Sequence, residues 1–286
     1  MAQIIDGKSV AEELRKQLTE KVNTMINKPK LSIIIVGNRP DSASYVRMKT
    51  NACKEVGILS EDIHYPDTVP QQDLEEKIAD LNSDPSVHGI LVQLPLPAHI
   101  DERKILELID IKKDVDGFHT VNVGKLIQND TSRVLPCTPA GCIYLLDYYN
   151  ISIEGKRVAV IGRSNIVGIP VSILLMQRNA TVTICHSRTR NLPEILQQAD
   201  IVVAACGRPQ MVKADWLKPG VVVIDVGVNQ IEDKTRKSGK RLVGDVDFDQ
   251  AKAVASYITP VPRGVGPMTV AMLMYNVVTL KERSET

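Results

Sequence analysis

Apolar residues recur along this chain in two alternating rhythms. From Ile4 to about Asn27, apolar and charged residues alternate at helical spacing, with Gly7 and Ser9 near the start, which predicts a first helix. Leu31-Ser-Ile-Ile-Ile-Val36 reads as a buried strand, ended by Gly37-Asn-Arg-Pro40. A helix from about Ser42 to Gly57 follows, and another from Gln71 to Ser83 starts beside Pro70. Val87 to Gln93 reads as a strand, which Leu94-Pro-Leu-Pro97 stops because proline cannot continue a ladder. Asp101 to Ile109 reads as a short helix and Asp114 to His119 as a loop. This alternation predicts a small parallel sheet in an N-terminal three-layer α/β domain.

The second half has the same rhythm with longer apolar runs. Thr138-Pro139 opens a helix to Tyr149, with proline in its first turn. Arg157 to Ile161, Thr181 to Cys185, Ile201 to Ala205 and Val221 to Asp225 read as strands. Helices at Pro170 to Asn179 and Leu192 to Gln198 separate them. The pattern is that of a Rossmann-like, doubly wound dinucleotide fold. Glu232 to Arg241 is a charged hairpin or loop. A final helix, about Met268 to Arg283, is expected to pack back on the first domain. The expected division is therefore 1–137 plus 267–286, and 138–266.

Composition narrows the class. The chain has 286 residues, 43% hydrophobic and 24% charged, with a net charge of +1, so neither nucleic acid nor an anionic membrane surface has an electrostatic case. Aromatic residues are 3%, too few for base-stacking platforms. The longest apolar runs are too short to span a bilayer, and the start has no signal-peptide pattern. The five cysteines include no C-x-x-C pair, and the five histidines no H-x-x-x-H. Free thiols in a reducing cytoplasm and no metal site are the expectation.

Gly162-Arg-Ser-Asn-Ile-Val-Gly168 lies between a strand and a helix, where backbone amides and a helix N-terminus face a pyrophosphate. Its spacing departs from G-x-G-x-x-G, so a bare strand–turn–helix is an alternative. NAD-selective folds carry an acid at the end of the next strand. Here the residues are Cys185-His-Ser-Arg188, which together with Arg163 suit a 2′-phosphate and predict NADP. Solvated surface charge is the plainer reading of Arg163 and Arg188.

Tyr45 and Lys49 lie one helical turn apart and form a proton-handling couple. Short-chain dehydrogenases also use Tyr-x-x-x-Lys, but after the nucleotide loop; here the pair precedes it by more than a hundred residues. Gln93 sits at a strand end, where open α/β sheets bind ligands. Asp116 precedes Gly117 in a loop and could accept paired N–H donors from a guanidine-like edge. Gly264, Gly266 and Pro267 permit close backbone approach and open a helix. Singly, each has a bland reading as turn, linker or solvent contact.

Together, Tyr45-x-x-x-Lys49, Val92-Gln-Leu-Pro-Leu-Pro97, Lys113-Asp-Val-Asp-Gly117, Pro136-Cys-Thr-Pro-x-Gly141, Val160-Ile-Gly-Arg-Ser-x-Ile-Val-Gly168, Gly244-Asp-Val246 and Thr259-Pro-Val-Pro262 carry a resemblance over nearly the whole chain. It closely resembles the bifunctional methylenetetrahydrofolate dehydrogenase/methenyltetrahydrofolate cyclohydrolase family. The resemblance implies NADP-dependent oxidation of 5,10-methylenetetrahydrofolate, then hydrolysis to 10-formyltetrahydrofolate at the same site, in one-carbon metabolism and purine biosynthesis. It implies a catalytic Lys49 tuned by Gln93, with Tyr45 bordering the folate and Asp116 holding its amino-pyrimidine edge. The implied folate site is Tyr45, Lys49, Val92, Gln93, Leu94, Pro95, Asp116, Pro262, Gly266 and Thr269. The implied cofactor site is Gly162, Arg163, Ser164, Ile166, Val167, Gly168, His186, Ser187, Cys206, Gly207 and Val228. A cytoplasmic homodimer formed through the nucleotide domain is also implied. One departure is Arg263, where the family usually has glycine. A positive φ there strains the arginine; otherwise its guanidinium could reach the folate's glutamate tail.

Overall fold

Strands form where β-branched and leucine runs meet glycine, proline or asparagine stops, and helices fill the periodic stretches between them. The computed structural model describes residues 1–236 and 239–285, the side chains of residues 40–44 excepted. In chain order the elements are β1 (Gln3–Ile4), α1 (Gly7–Thr24), β2 (Lys30–Val36), α2 (Pro40–Val56), β3 (Leu59–Tyr65), α3 (Gln71–Ser83), β4 (Gly89–Val92), α4 (Glu102–Glu107), α5 (Thr120–Ile127) and α6 (Cys137–Tyr148). There follow β5 (Arg157–Ile161), α7 (Gly168–Gln177), β6 (Thr181–Cys185), α8 (Leu192–Leu196), β7 (Ile201–Ala204), β8 (Val222–Asp225), β9 (Asn229–Glu232), β10 (Lys240–Val243), α9 (Phe248–Ala251), β11 (Tyr257–Ile258) and α10 (Val265–Ser284).

Two compact units result. One comprises Glu12–Cys137 with Val270–Thr286, the other Met1–Ala11 with Thr138–Thr269. The division read from the sequence puts residues 1–11 in the first unit, whereas the structure puts them in the second. The reason is β1: Gln3 and Ile4 lie inside the stretch expected to be helical, but they pair with Tyr257 and Ile258 of β11.

The first unit holds a three-stranded parallel sheet, ordered β3-β2-β4. Strand alternation sends Ile34, Val36, Ile90 and Val92 to one face, where they pack on Leu74, Ile78 and Leu81 of α3 and Ile105 of α4. On the other face Cys53 of α2 meets Met274 of α10, with Sγ and Sδ 3.6 Å apart. The final helix thus packs in the first unit from Val270 onward, as its sequence leads one to expect. A methyl on Gly89 would meet Val115, Leu31 and Val277, so the sheet and α10 approach closely there. Neither β3 nor α5 is expected from the sequence. Most of β3 is solvent-facing, and its Ser60, Glu61, Asp62 and His64 hide a strand at the sheet edge.

The second unit is a six-stranded parallel sheet, ordered β1-β11-β8-β7-β5-β6. The chain leaves β5 for β6 on one side, then crosses to β7 on the other, so the strand order reverses between β5 and β7. That is the switch point at which doubly wound sheets bind ligands. β7 and β8 are buried throughout, hence the apolar run of β7 and that of β8 up to Asp225. The segment expected as hairpin or loop is a hairpin of β9 and β10, paired antiparallel. Its residues 237 and 238 lie outside the described residues.

Candidate active site

In the first unit the chemistry gathers where β4 ends. The Gln93 N–H continues the ladder by donating to the Ile34 carbonyl at 2.9 Å. Alternation puts Gln93 on the same face as Gly89 and Leu91, towards α2. Lys49 lies on α2 in line with buried Ala52 and Cys53, so its ammonium reaches inward. Lys49 Nζ donates to Gln93 Oε1 at 3.0 Å, and Gln93 Nε2 donates to the Leu94 carbonyl at 2.9 Å. The amide is therefore held at both ends, its oxygen fixed towards the lysine. Val92 is buried, Pro95 is exposed and follows a cis peptide bond, and Tyr45 keeps 36% of its surface exposed one turn before Lys49.

A short added ladder brings Asp116 to this end of the sheet. Ile90 and Asp114 form an isolated parallel bridge, with the Ile90 N–H donating to the Lys113 carbonyl at 2.8 Å. The buried Asp114 carboxylate then accepts from the Gly117, Phe118 and His119 N–H groups and from Asn122 Nδ2. Gly117 has φ 67°, and a Cβ there would lie 2.6 Å from the Val134 carbonyl oxygen. This turn points Asp116 inward. Burial raises its carboxyl above the ordinary value, Lys49 lowers it, Asp114 raises it and the Cys137 thiol lowers it; burial prevails. A half-buried carboxyl beside one lysine is suited to binding a cationic or multiply N–H-bearing ligand edge.

In the second unit the expected cofactor residues occupy loops at the carboxyl ends of the strands. Gly162 follows β5 with φ 127°, and a Cβ on it would lie 2.1 Å from the Ala205 carbonyl oxygen, so only glycine fits. Ser164 Oγ accepts from the Val167 and Gly168 N–H groups and orders the loop into α7. Arg163, Ser164 and Ile166 are exposed, and Val167 and Gly168 begin the helix. His186 and Ser187 form the turn after β6, closed by a bond from the His186 N–H to Thr189 Oγ1 at 2.8 Å. Cys206 and Gly207 follow β7, and Val228 is exposed after β8.

Two aspartates fix these loops. Asp245 accepts from the Cys206, Gly207 and Arg208 N–H groups and from Asn229 Nδ2. Asp225 accepts from the Gly227, Asp245 and Val246 N–H groups. Burial pushes the Asp225 carboxyl up to about 7 in spite of those bonds.

The remaining expected folate residues, Pro262, Gly266 and Thr269, also belong to the second unit. Thr269 Oγ1 and the Thr138 hydroxyl share a hydrogen bond at 2.9 Å. Arg263 has φ 85°, so the glycine departure carries backbone strain. Its guanidinium donates to Asp6 Oδ2 at 3.1 Å. Asp114, Asp225 and Asp245 are absent from the sequence-derived site. Asp114 could have been found, since aspartate two to three residues before a glycine is an Asx-turn pattern.

One unit with a dinucleotide-type sheet and a glycine cradle, and one presenting a lysine–glutamine pair and an inward carboxyl, together define a nucleotide-dependent α/β enzyme. The family model for the tetrahydrofolate dehydrogenase/cyclohydrolase catalytic domain matches residues 5–116, and that for the family's NAD(P)-binding domain matches residues 136–285. Bifunctional protein FolD 2 of Arabidopsis thaliana is 54% identical over 282 residues, 97% of this chain and 94% of that protein. The crystal structure of the bifunctional FolD enzyme of Campylobacter jejuni superposes with TM-score 0.94 at 45% identity, covering 99% of this chain and 100% of that one. The Trypanosoma brucei enzyme, solved with NADP cofactor and inhibitor, gives 0.95 at 43%, covering 99% and 98%. The chain belongs to the tetrahydrofolate dehydrogenase/cyclohydrolase family.

Proposed function

We propose that this chain oxidises 5,10-methylenetetrahydrofolate with NADP and hydrolyses the resulting methenyl cation to 10-formyltetrahydrofolate, both on one bound folate. The observation that carries the reading is the Lys49–Gln93 hydrogen bond at 3.0 Å. Bound NADP supplies the hydride acceptor. The cradle at Gly162, too tight for a Cβ, suits a pyrophosphate, and Arg163 with the His186–Arg188 turn suits a 2′-phosphate. Oxidation leaves a cation shared by two folate nitrogens, so this step calls mainly for positioning. Asp116 supplies it by accepting from the pterin's amino-pyrimidine edge, with Tyr45 bordering the ring. Water attack and ring opening call for proton transfer, and Lys49 handles that proton while Gln93 fixes its ammonium.

Further parts of the reading are cytoplasmic location and a homodimer through the nucleotide unit. Of the five free cysteines four are buried, which suits a reducing compartment. Edge strand β6 with exposed Ile184, and exposed Met176 on α7, offer an apolar surface for a second copy. Among the described residues no helix is long and apolar enough to cross a membrane. The test follows methenyltetrahydrofolate decay without NADP. Enzyme-accelerated decay is expected, and a rate equal to that of buffer contradicts the reading.

A further inference from the structure

Asn276 is a polar residue in the buried stretch of α10, 5% exposed. Its Nδ2 donates to the Val115 carbonyl at 2.8 Å and to the Leu135 carbonyl at 2.9 Å. Both amide hydrogens are thus used to tie the segment before Asp116 to the segment before Cys137. The same nitrogen lies 3.6 Å from Cys137 Sγ, which in turn lies 3.6 Å from the Val115 carbonyl oxygen and 3.7 Å from Asp116 Oδ1. A thiol has one hydrogen. The Val115 carbonyl already accepts from Asn276, and a carboxylate is the stronger acceptor, so the thiol hydrogen goes to Asp116.

We propose that Asn276 and Cys137 are positioning residues for folate, clamping the Asp116 loop so that the Cys137 thiol donates to the Asp116 carboxylate and holds it aimed at the pterin edge. This rests on the reading above, in which Asp116 binds that edge. Cys137 is suited to the part: burial raises its thiol well above the ordinary value, so it stays a donor. The groups facing Asp116 are Lys49 from α2, Asp114 from its own loop and Cys137 from α6. A donor to the ionised carboxyl favours the charged form that accepts from the ligand.

The experiment compares Cys137→Ala, Cys137→Ser and Asn276→Ala by KM for folate and for NADP, kcat and the pH profile of kcat/KM. Cys137→Ala should raise the folate KM roughly tenfold, about the loss of one hydrogen bond to a charged group. The acid limb of its profile should move to higher pH while the NADP KM stays unchanged. Cys137→Ser, which restores a donor, should bring both back towards the wild type. Asn276→Ala should shift folate KM in the same direction. If it fails to fold, the Ala–Ser comparison at Cys137 decides alone. An unmoved acid limb in Cys137→Ala, or equal rises in both KM values, overturns the proposal. Asp116→Asn tests the underlying reading separately: an unchanged folate KM there removes Asp116 from the pterin, whatever the Cys137 variants do.

Discussion

Replacing Arg263 with glycine should stabilise this protein. Its φ of 85° lies in the left-handed region. An L-residue there costs about 1–2 kcal/mol relative to glycine. Reversion loses the Arg263–Asp6 ion pair at 3.1 Å, whose side chains are 60% and 33% exposed. Pairs this exposed contribute about 0–1 kcal/mol. Glycine also gives back some of the gain through the freer unfolded chain. The balance is a gain of up to about 1 kcal/mol, or roughly 2–4 °C in Tm for a domain of this size. Arg263→Ala separates the two effects, since alanine keeps the strained Cβ and loses the pair; it should melt at or slightly below the wild type. Acid sensitivity should follow. Burial raises the Asp6 carboxyl, but the bonds from Ser9 and the charge of Arg263 outweigh it and leave it below the ordinary value. A lowered carboxyl contributes stability above its unfolded value that is lost as pH falls through the folded one. Both variants weaken that contribution. Calorimetry of the three proteins gives the answer, and the order Gly above Arg, with Ala lowest, is expected. A glycine variant less stable than the arginine form refutes the strain argument.

Arg163→Ala should raise the KM for NADP far more than that for NAD, by roughly tenfold or more, as a charge-assisted contact to a phosphate is lost; equal effects on both remove Arg163 from the 2′-phosphate. Asp225, with its carboxyl raised to about 7, keeps its proton when folded and releases it near 3.8 when unfolded. Its contribution is therefore full below the unfolded value and declines as pH rises to about 7, by up to ~1.4 kcal/mol per pH unit. Denaturant titrations of wild type and Asp225→Asn across that window should show a steeper fall with pH in the wild type; parallel curves contradict the assignment. Asp114→Ala leaves three loop N–H groups and Asn122 without their acceptor, and should cost at least about 2 kcal/mol and raise the folate KM. Unchanged stability in that variant removes Asp114 as the anchor of the Asp116 turn.

Much of the architecture can be read from the chain because burial writes itself as pattern. Leu31–Val36, apolar but for buried Ser32, and Ile201–Ala204, apolar throughout, are such patterns since both faces of their strands are covered. Gln71–Ser83 shows its buried Leu74, Ile78 and Leu81 at helical spacing. β3 escapes this logic, as does α5, eight residues long and interrupted by Gly124. β1 and β11 are two residues each, too short for any rhythm, and are revealed by their pairing with each other and of β11 with β8. In the site, Lys49 and Gln93 stand out because a helical spacing and a proline-stopped strand mark them. Asn276 carries no local signal beyond being an amide in an apolar helix. Its partners at Val115 and Leu135 are 161 and 141 residues away, and are backbone carbonyls, which sequence cannot single out.

The most direct test of the proposed mechanism is Lys49→Ala, with both reactions assayed on one preparation. The Lys49–Gln93 pair is assigned to proton transfer during hydrolysis, so cyclohydrolase activity should fall by about 10²–10⁴-fold, the usual worth of a general acid–base group. Oxidation of methylenetetrahydrofolate, which relies on positioning, should keep its rate within roughly tenfold. A parallel loss of both activities, or full cyclohydrolase activity without the lysine, contradicts the account.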